Sequence, residues 1–487
     1  MWSEAFVSLW NRVFPLCVAL TLAGCASLEQ RFAEQTSAAT VIAPAAWATS
    51  SAVLPATSPA AIDLAEWWRQ LGDAQLTQLI ALASEAAPDW RTAQARLRQA
   101  RAARDLADAS LFPTIAASAS ATRARTGKAA GGSGKPQTLY AAGFDASWEP
   151  SIFGGLRDAA SAAQADLAAA EADVQSTHAS LVAEVALEYV TLRASQQRLS
   201  IVRANVASQT ETLQITEWRE MAGLTTRLDV EQARTNLEQS RAAIPSLETG
   251  RAEAEHRLAI LSGLAPGSLR TALQEIRPLP SAPDEIAVGI PVDTLRQRPD
   301  MRAAEFTLRA EIARTAEKEA DRYPSLALDG SFGWKDATLS ALGGGSNVAR
   351  SLVASFAGTL FDGGRIRSRI DMQKAAQAQA FIAWEKAILT ALEDVENAMT
   401  AYANGRDRFG ARRNAATAAT HAAELARLQY RAGSADFQKV LETERTLLTA
   451  QDNLASAEAD VLTAVIQLYK ALGGGWIPTE TTERSAS

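Results

Sequence analysis

Cysteine is nearly missing from this chain: Cys17 and Cys25 are the only two in 487 residues. Cys17 lies in an apolar leader that is removed, so the mature chain holds no pair to oxidise and no disulfide framework. Long apolar runs are missing too. Outside the leader none reaches the ~20 residues of a membrane-spanning helix, so if the chain crosses a bilayer, strands must do it. No basic stripe appears and the formal net charge is -7, which argues against a nucleic-acid partner. The three histidines, His178, His256 and His421, stand far apart on helical stretches with no second ligand at i+4. They therefore make no metal or nucleophile constellation, and five scattered methionines make no copper-binding array. Enzyme activity is the least favoured class. Proline (17) and glycine (28) are modest in number, and no Pro/Ser-rich linker divides the body. One long, elongated domain fits as well as several short ones.

What is present begins with the N-terminus. Arg12 precedes an apolar run from Val13 to Leu22, and then comes "LAGCAS". This is the layout of a secretory signal with its processing site, and it is too short to span a membrane as a helix. "LAGC", Leu22 to Cys25, resembles the lipobox of bacterial lipoproteins. That resemblance implies cleavage after Gly24 and a covalent lipid on Cys25; Ala26, being other than Asp, implies sorting to the outer membrane. A single lipid holds a protein to a bilayer only weakly unless another element also inserts.

The rest of the chain repeats itself. "PDWRTAQARLR" starts at Pro88 and "PDMRAAEFTLR" at Pro299, 211 residues apart, as are Pro113 and Pro324. Downstream, Gly223, Val230 and Leu237 find counterparts in Gly433, Val440 and Leu447, each 210 residues later. Each repeat reads helix, strand, strand, long helix, turn, helix. The boundaries expected are 1–24 for the leader, 25–60 for the lipidated segment, 61–270 and 271–472 for the repeats, and 473–487 for a tail.

Strand candidates are Thr114 to Arg123, Leu139 to Trp148, Ser325 to Trp334 and Leu352 to Phe361, each with one oilier side at period two. Their lengths match the 9 to 11 residues of a tilted bilayer-spanning strand. The stretches between them, "TGKAAGGSGKPQ" and "KDATLSALGGGSN", are Gly-rich and polar, as hairpin loops are. "GGSGKP" is no phosphate loop, because Ala129 replaces the first glycine and Pro136 the Ser or Thr.

The helices carry a seven-residue period: Val185, Leu192, Leu199, Val206 and Leu213 in the first repeat, and Val395, Tyr402, Phe409, Ala416 and Ala423 in the second. The returning helix continues it with Val440, Leu447, Leu454, Val461 and Leu468. Sustained heptads predict coiled-coil packing, and a helix from Leu156 to about Ala222 would be ~100 Å long at 1.5 Å per residue. Gly223 and Gly433 mark reversals, with Thr, Ser or Asp following to cap the next helix. Pro245 should bend or end the first returning helix.

Four strands cannot close on themselves, and an open edge in hydrocarbon leaves backbone groups unpaired at several kcal/mol each. The edges must meet those of other copies. At this point the sequence resembles the outer membrane factor family of tripartite efflux systems, the TolC-like channels, and within it the NodT-type lipoproteins. The residues that carry the resemblance are "WWRQLGDAQLTQLI" at 67–80, "SWEPSIFGGLR" at 147–157, "RQRPDMRAAE" at 296–305, "YPSLALDGSFG" at 323–333 and the two hairpin tips. The resemblance implies a mainly α fold with a membrane β-barrel: helical hairpins forming an α-barrel, and four strands per chain completing twelve in a homotrimer. It also implies docking to a periplasmic adaptor and an inner-membrane pump of the RND type, with no cofactor beyond the lipid on Cys25. By the same resemblance Glu442 and Arg445 sit where relatives carry an acidic ring residue and a linking arginine of the periplasmic gate. Lys439 stands where many relatives have Asp or a neutral residue. The tips, Gly223, Leu224 and Thr225 with Gly433, Ser434 and Ala435, are the expected adaptor-docking points. Three apart on a helix, Glu442 and Arg445 could pair within one chain or with a neighbour. A channel for protein secretion, or a lipid-anchored coiled coil without a pore, are the other readings.

Overall fold

The computed structural model describes residues 28–37, 44, 46–48, 64–125, 135–283 and 295–476; the leader, Cys25, the loop 126–134 and the end of the tail lie outside them. Helix α1 (Leu28–Ser37) comes first, in a segment for which the sequence predicted no element. A 3-10 turn (Trp67–Leu71), α2 (Ala74–Ala86) and α3 (Pro88–Ala109) lead to β1 (Thr114–Ala124) and β2 (Gln137–Trp148). Then follow α4 (Gly155–Met221), α5 (Arg227–Leu261), α6 (Pro299–Ala320), β3 (Ser325–Asp336), β4 (Val348–Ala357), α7 (Arg365–Arg431) and α8 (Phe437–Ala471). The repeat is visible in the lengths: α3 and α6 have 22 residues each, α4 and α7 have 67, and α5 and α8 have 35.

One expectation is corrected, and at Pro245 one of the two outcomes expected is excluded. The fourth strand runs Val348–Ala357, four residues ahead of the predicted Leu352 to Phe361. Its end is set by its partner: Ala357 lies opposite Ser325, and the next position would face Pro324, which has no N–H to donate. Pro245 does not end its helix, since α5 continues unbroken through it. The site is exposed, so water can reach the Arg241 carbonyl that loses its partner there.

The strands form one antiparallel sheet in the order β1-β2-β3-β4, with β2 and β3 joining the two repeats. Its edges, β1 and β4, have no partner strand among the described residues.

The described chain divides into two compact units, each drawing on both repeats. One contains the sheet, with α1 and residues 98–170 and 304–385; the other takes the described parts of 42–97, 171–303 and 386–487. In the first unit Arg309 holds α1, with one guanidinium nitrogen 2.6 Å from Glu29 and its carbon 4.4 Å from the centre of the Phe32 ring. The second unit has the larger apolar core. Trp67, fully buried, stacks on Tyr469 at 5.3 Å, and Leu71, Leu76, Val185, Leu192, Leu258, Val395 and Leu468 close round them. Burial pushes the phenols of Tyr189 and Tyr469 up to about 12, and for Tyr189 the hydrogen bond it donates to Asp73 at 2.7 Å adds to this. Arg298, nearly buried, ties the "RPD" turn to the core, reaching Asp300 at 2.7 Å, Asp394 at 3.0 Å and the Ala471 carbonyl at 3.0 Å.

Candidate functional site

Register sorts the sheet's side chains onto two unlike faces. One carries Ile115, Ala117 and Ala119 of β1, Phe144, Ala146 and Trp148 of β2, Leu328, Gly330, Phe332 and Trp334 of β3, and Leu352, Ala354 and Phe356 of β4. The other carries Ser118 and Ser120, Asp145 and Ser147, Asp329 and Ser331, and Ser351 and Ser355. On it Ser118 donates to Asp145 at 2.9 Å and Ser331 pairs with Ser351 at 2.8 Å. The apolar face is open: Leu352 is 84% exposed, Ile115 73% and Phe356 67%. So wide an uncovered apolar surface belongs against lipid or another protein. A sheet with an oily side, a polar side and two unpaired edges has the makings of a barrel wall in a membrane. No helix among the described residues is long and apolar enough to cross a membrane.

At the hairpin tips the predicted reversals are present. Gly223 (φ 70°) and Gly433 (φ 76°) take the left-handed conformation, which only glycine adopts without strain. The N–H of Leu224 donates to the Arg219 carbonyl at 2.8 Å and that of Ser434 to Gln429 at 2.9 Å, the six-to-one bond of a Schellman stop. Thr226 and Asp229 cap α5 reciprocally, and Asp436 caps α8 through the Lys439 N–H at 3.0 Å. Partial burial of Asp229 works to raise its pKa, but hydrogen bonds from the Thr225 hydroxyl and from the Thr226 N–H and hydroxyl hold it below the ordinary carboxylate value.

The three predicted gate residues lie together at the start of α8, lining an open cleft of about 550 Å³ with Asp436, Gln438, Leu441 and Thr446. Of the two pairings open to Glu442 and Arg445, the one within a single chain is not made. Glu442 bonds Lys439 at 3.4 Å, while Arg445 donates to Asn236 of α5 at 3.0 Å. Glu442 and Arg445 therefore form no pair within the chain: Lys439 is nearer for the one, and α5 supplies a buried acceptor for the other.

Sequence reasoning missed the centre of this region. Glu444, 2% exposed, accepts from Arg427 of α7 at 3.0 Å and from Thr212 of α4 at 2.8 Å, so one carboxylate ties both helical hairpins. Nearby, Arg219 lies 4.5 Å over the Tyr430 ring and donates to the Tyr430 carbonyl at 2.7 Å, and Arg431 pairs with Glu211. A signal existed: Glu444 stands seven residues after Phe437 and four after Val440, on the side of α8 that carries its apolar heptad positions. The seam of α4 drifts in the same stretch. Val206 and Leu213 are only half-buried, and the buried positions are Asn205, Gln209, Thr212 and Thr216. His178, by contrast, is a packing residue, between the Ser84 hydroxyl at 3.0 Å and the Gly475 carbonyl at 2.6 Å.

A wall-forming sheet joined to paired helical hairpins defines a channel subunit, and comparison with known proteins agrees. The chain belongs to the family described as outer membrane efflux protein, whose signature matches residues 79–264 and 290–474. It is 31% identical over 441 residues to the pyoverdine export outer membrane protein OpmQ of Pseudomonas putida, covering 89% of this chain and 92% of that one. It is 30% identical to nodulation protein T of Rhizobium leguminosarum bv. viciae, covering 88% of each. Among solved structures, the outer-membrane channel OprN superposes with a TM-score of 0.81 at 34% identity, over 87% of this chain and 98% of that one. The Campylobacter jejuni CmeC outer membrane channel shares the fold, with a TM-score of 0.82 at 21% identity over 91% and 95%. This protein is thus the outer membrane channel component of an efflux system, not an enzyme. Channels of the family are trimers that work with an adaptor and an inner-membrane pump, so three copies of the four-stranded sheet make a twelve-stranded barrel.

Proposed function

We propose that this channel is a lipid-anchored exit duct for small organic molecules, served by a pump of the RND class, and that it closes at its hairpin tips. The observation that carries the duct is the two-faced, open-edged sheet, whose polar side has no use unless it borders water inside a closed wall. Support for small cargo comes from the named functions of relatives, which include pyoverdine export and solvent efflux. The lipid on Cys25 rests on the "LAGC" sequence alone. The adaptor reading rests on the two reversals, where Gly223, Leu224 and Thr225, and Gly433, Ser434 and Ala435, lie outside any helix. Lys439, Glu442 and Arg445 serve as the gate's charged lining, with Glu444 behind them as the tie between hairpins.

A single strain background tests these parts. In cells lacking the gene, susceptibility to dyes and organic solvents should rise and be restored by the intact chain. C25S should lose the lipid by mass spectrometry and lower the amount of channel in the outer membrane. An unchanged susceptibility profile alongside a lost secreted protein would overturn the small-molecule reading in favour of protein export.

A further inference from the structure

The apolar face of the sheet is not wholly uncharged. Reading each strand by register, its ionisable residues in the described strands are Arg123 on β1, Asp336 on β3 and Arg350 on β4. All three lie toward the loop end of the sheet. Arg123 is the last residue but one of β1 and Arg350 the third of β4, where those strands meet loops and not helices. Arg123 stands opposite Thr138, on the side of β1 that carries Ile115 and Ala119. Arg350 stands opposite Phe332, whose ring meets that of Trp334 edge-on at 5.5 Å. Both arginines are exposed.

Neither arginine makes an ion pair among the described residues. Asp336 is engaged by its own loop, accepting from the Thr338 N–H at 2.8 Å, from the Thr338 hydroxyl at 3.0 Å and from the Asn347 amide at 2.5 Å. By register it stands four positions along the sheet from Arg350, roughly 13 Å at 3.3 Å per residue, which exceeds the ~8–10 Å over which charges act through physiological salt. An arginine on the lipid face of a barrel costs about 2–4 kcal/mol at the bilayer midplane and about 0–1 near the surface, so the loop end is where it is tolerated. Closure of the wall then brings the two together. They lie on the two edge strands, so each seam between copies carries Arg350 of one and Arg123 of its neighbour. No carboxylate of β1 or β4 stands on this face to neutralise them.

We infer that Arg123 and Arg350 form, at each seam between copies, a docking site for the phosphate groups of a phosphorylated glycolipid in the outer leaflet of the outer membrane. The inference rests on the reading of the polar face as the lining of the duct, which turns the opposite face to lipid. The large helical portion is periplasmic, so the loop end of the sheet is the outer one. Charge selects the occupant: a guanidinium meets phosphate oxygens with two parallel N–H donors, and clustered cations at a membrane surface attract anionic headgroups. Leu352, two residues from Arg350 on the same face and 84% exposed, begins the apolar surface that takes the acyl chains.

The test is equilibrium binding of bisphosphorylated lipid A to the detergent-purified trimer. The double variant R123Q/R350Q should bind on the order of tenfold more weakly than the intact channel. R123Q and R350Q alone should each lose part of the affinity, an arm that stands whether or not the double variant assembles. Lipid A stripped of its phosphates should bind the intact channel no better than the double variant binds the phosphorylated form. Inorganic phosphate at the same concentration should displace none of the bound lipid. K335M removes a cation from the loop end of β3 on the polar face, and should leave binding unchanged. Full affinity in the double variant or in both single variants, equal binding of the dephosphorylated lipid, or displacement by equimolar phosphate would each overturn the inference. Binding lost in K335M and kept in R123Q/R350Q would mean that the two faces are exchanged, and would count against the polar face as a duct lining as well.

Discussion

Glu444 shows what a single charged side chain does when a coiled-coil seam closes over it. A buried carboxylate is costly unless it finds donors, and here Arg427 and Thr212 both donate to its Oε1 from two different helices. Removing it strands Arg427, although that guanidinium is one-quarter exposed and can turn partly to water. E444A should therefore destabilise the hairpin tips by about 2–3 kcal/mol, at the lower end of broken buried pairs. E444Q should cost less, because its amide oxygen still accepts from Arg427. E442A, at an exposed pair, should cost almost nothing. Thermal midpoints of the detergent-solubilised protein check the order, and equal losses in E442A and E444A would show that burial is not the cause. Lys439, Glu442 and Arg445 follow from the tip motif in the sequence, whereas Glu444 emerges only when α4 and α7 are known to meet α8.

Secondary structure is where the sequence was most legible, and the reasons are local. The reversals at Gly223 and Gly433 and the capping residues after them are short-range chemistry that any six residues display. The strand β4 was misplaced because alternation continues past Ala357 through Gly358 and Leu360, and only the register with β3 tells where pairing stops. A second long-range feature left no mark in the pattern. Gly143 and Gly333 face each other across β2 and β3, so closely that a Cβ on Gly143 would stand 2.7 Å from the Phe332 carbonyl oxygen, and one on Gly333 2.6 Å from that of Ala142. Backbone atoms cannot step aside as a side-chain end can. G143A or G333A should push the two repeats' strands apart, with an overpacking cost of about 1–3 kcal/mol at each site in every subunit. Gly330 supplies the control, because a Cβ there meets only side-chain atoms at 3.9 and 4.0 Å. Unheated gels should show less trimer for the first two variants and an unchanged band for G330A; a tolerated G143A would mean that β2 and β3 pair less closely than the register requires.

At the scale of the whole molecule, closure is the demand that four strands cannot meet alone. The outward N–H and C=O groups along the outer edges of β1 and β4 lack a strand partner among the described residues, and hydrocarbon offers none. The apolar face is broad enough for lipid, and the polar face makes sense only around water, so completion by further copies solves both problems at once. Geometry makes this testable without any assumption about the register between copies. Within one chain β1 and β4 are separated by β2 and β3, three inter-strand spacings or about 14 Å. A disulfide needs Cα atoms within about 7 Å, so a cysteine on β1 and another on β4 cannot join inside one sheet. Placing one cysteine at Ser118, against single cysteines stepped along β4 at Ala349, Ser351, Val353 and Ser355, should give covalent dimers and trimers at one or two of the four positions on mild oxidation. Non-reducing gels read the result directly. Monomer at all four positions, from protein recovered in the outer membrane, would mean that β1 and β4 of neighbouring copies do not meet and that the wall is closed some other way.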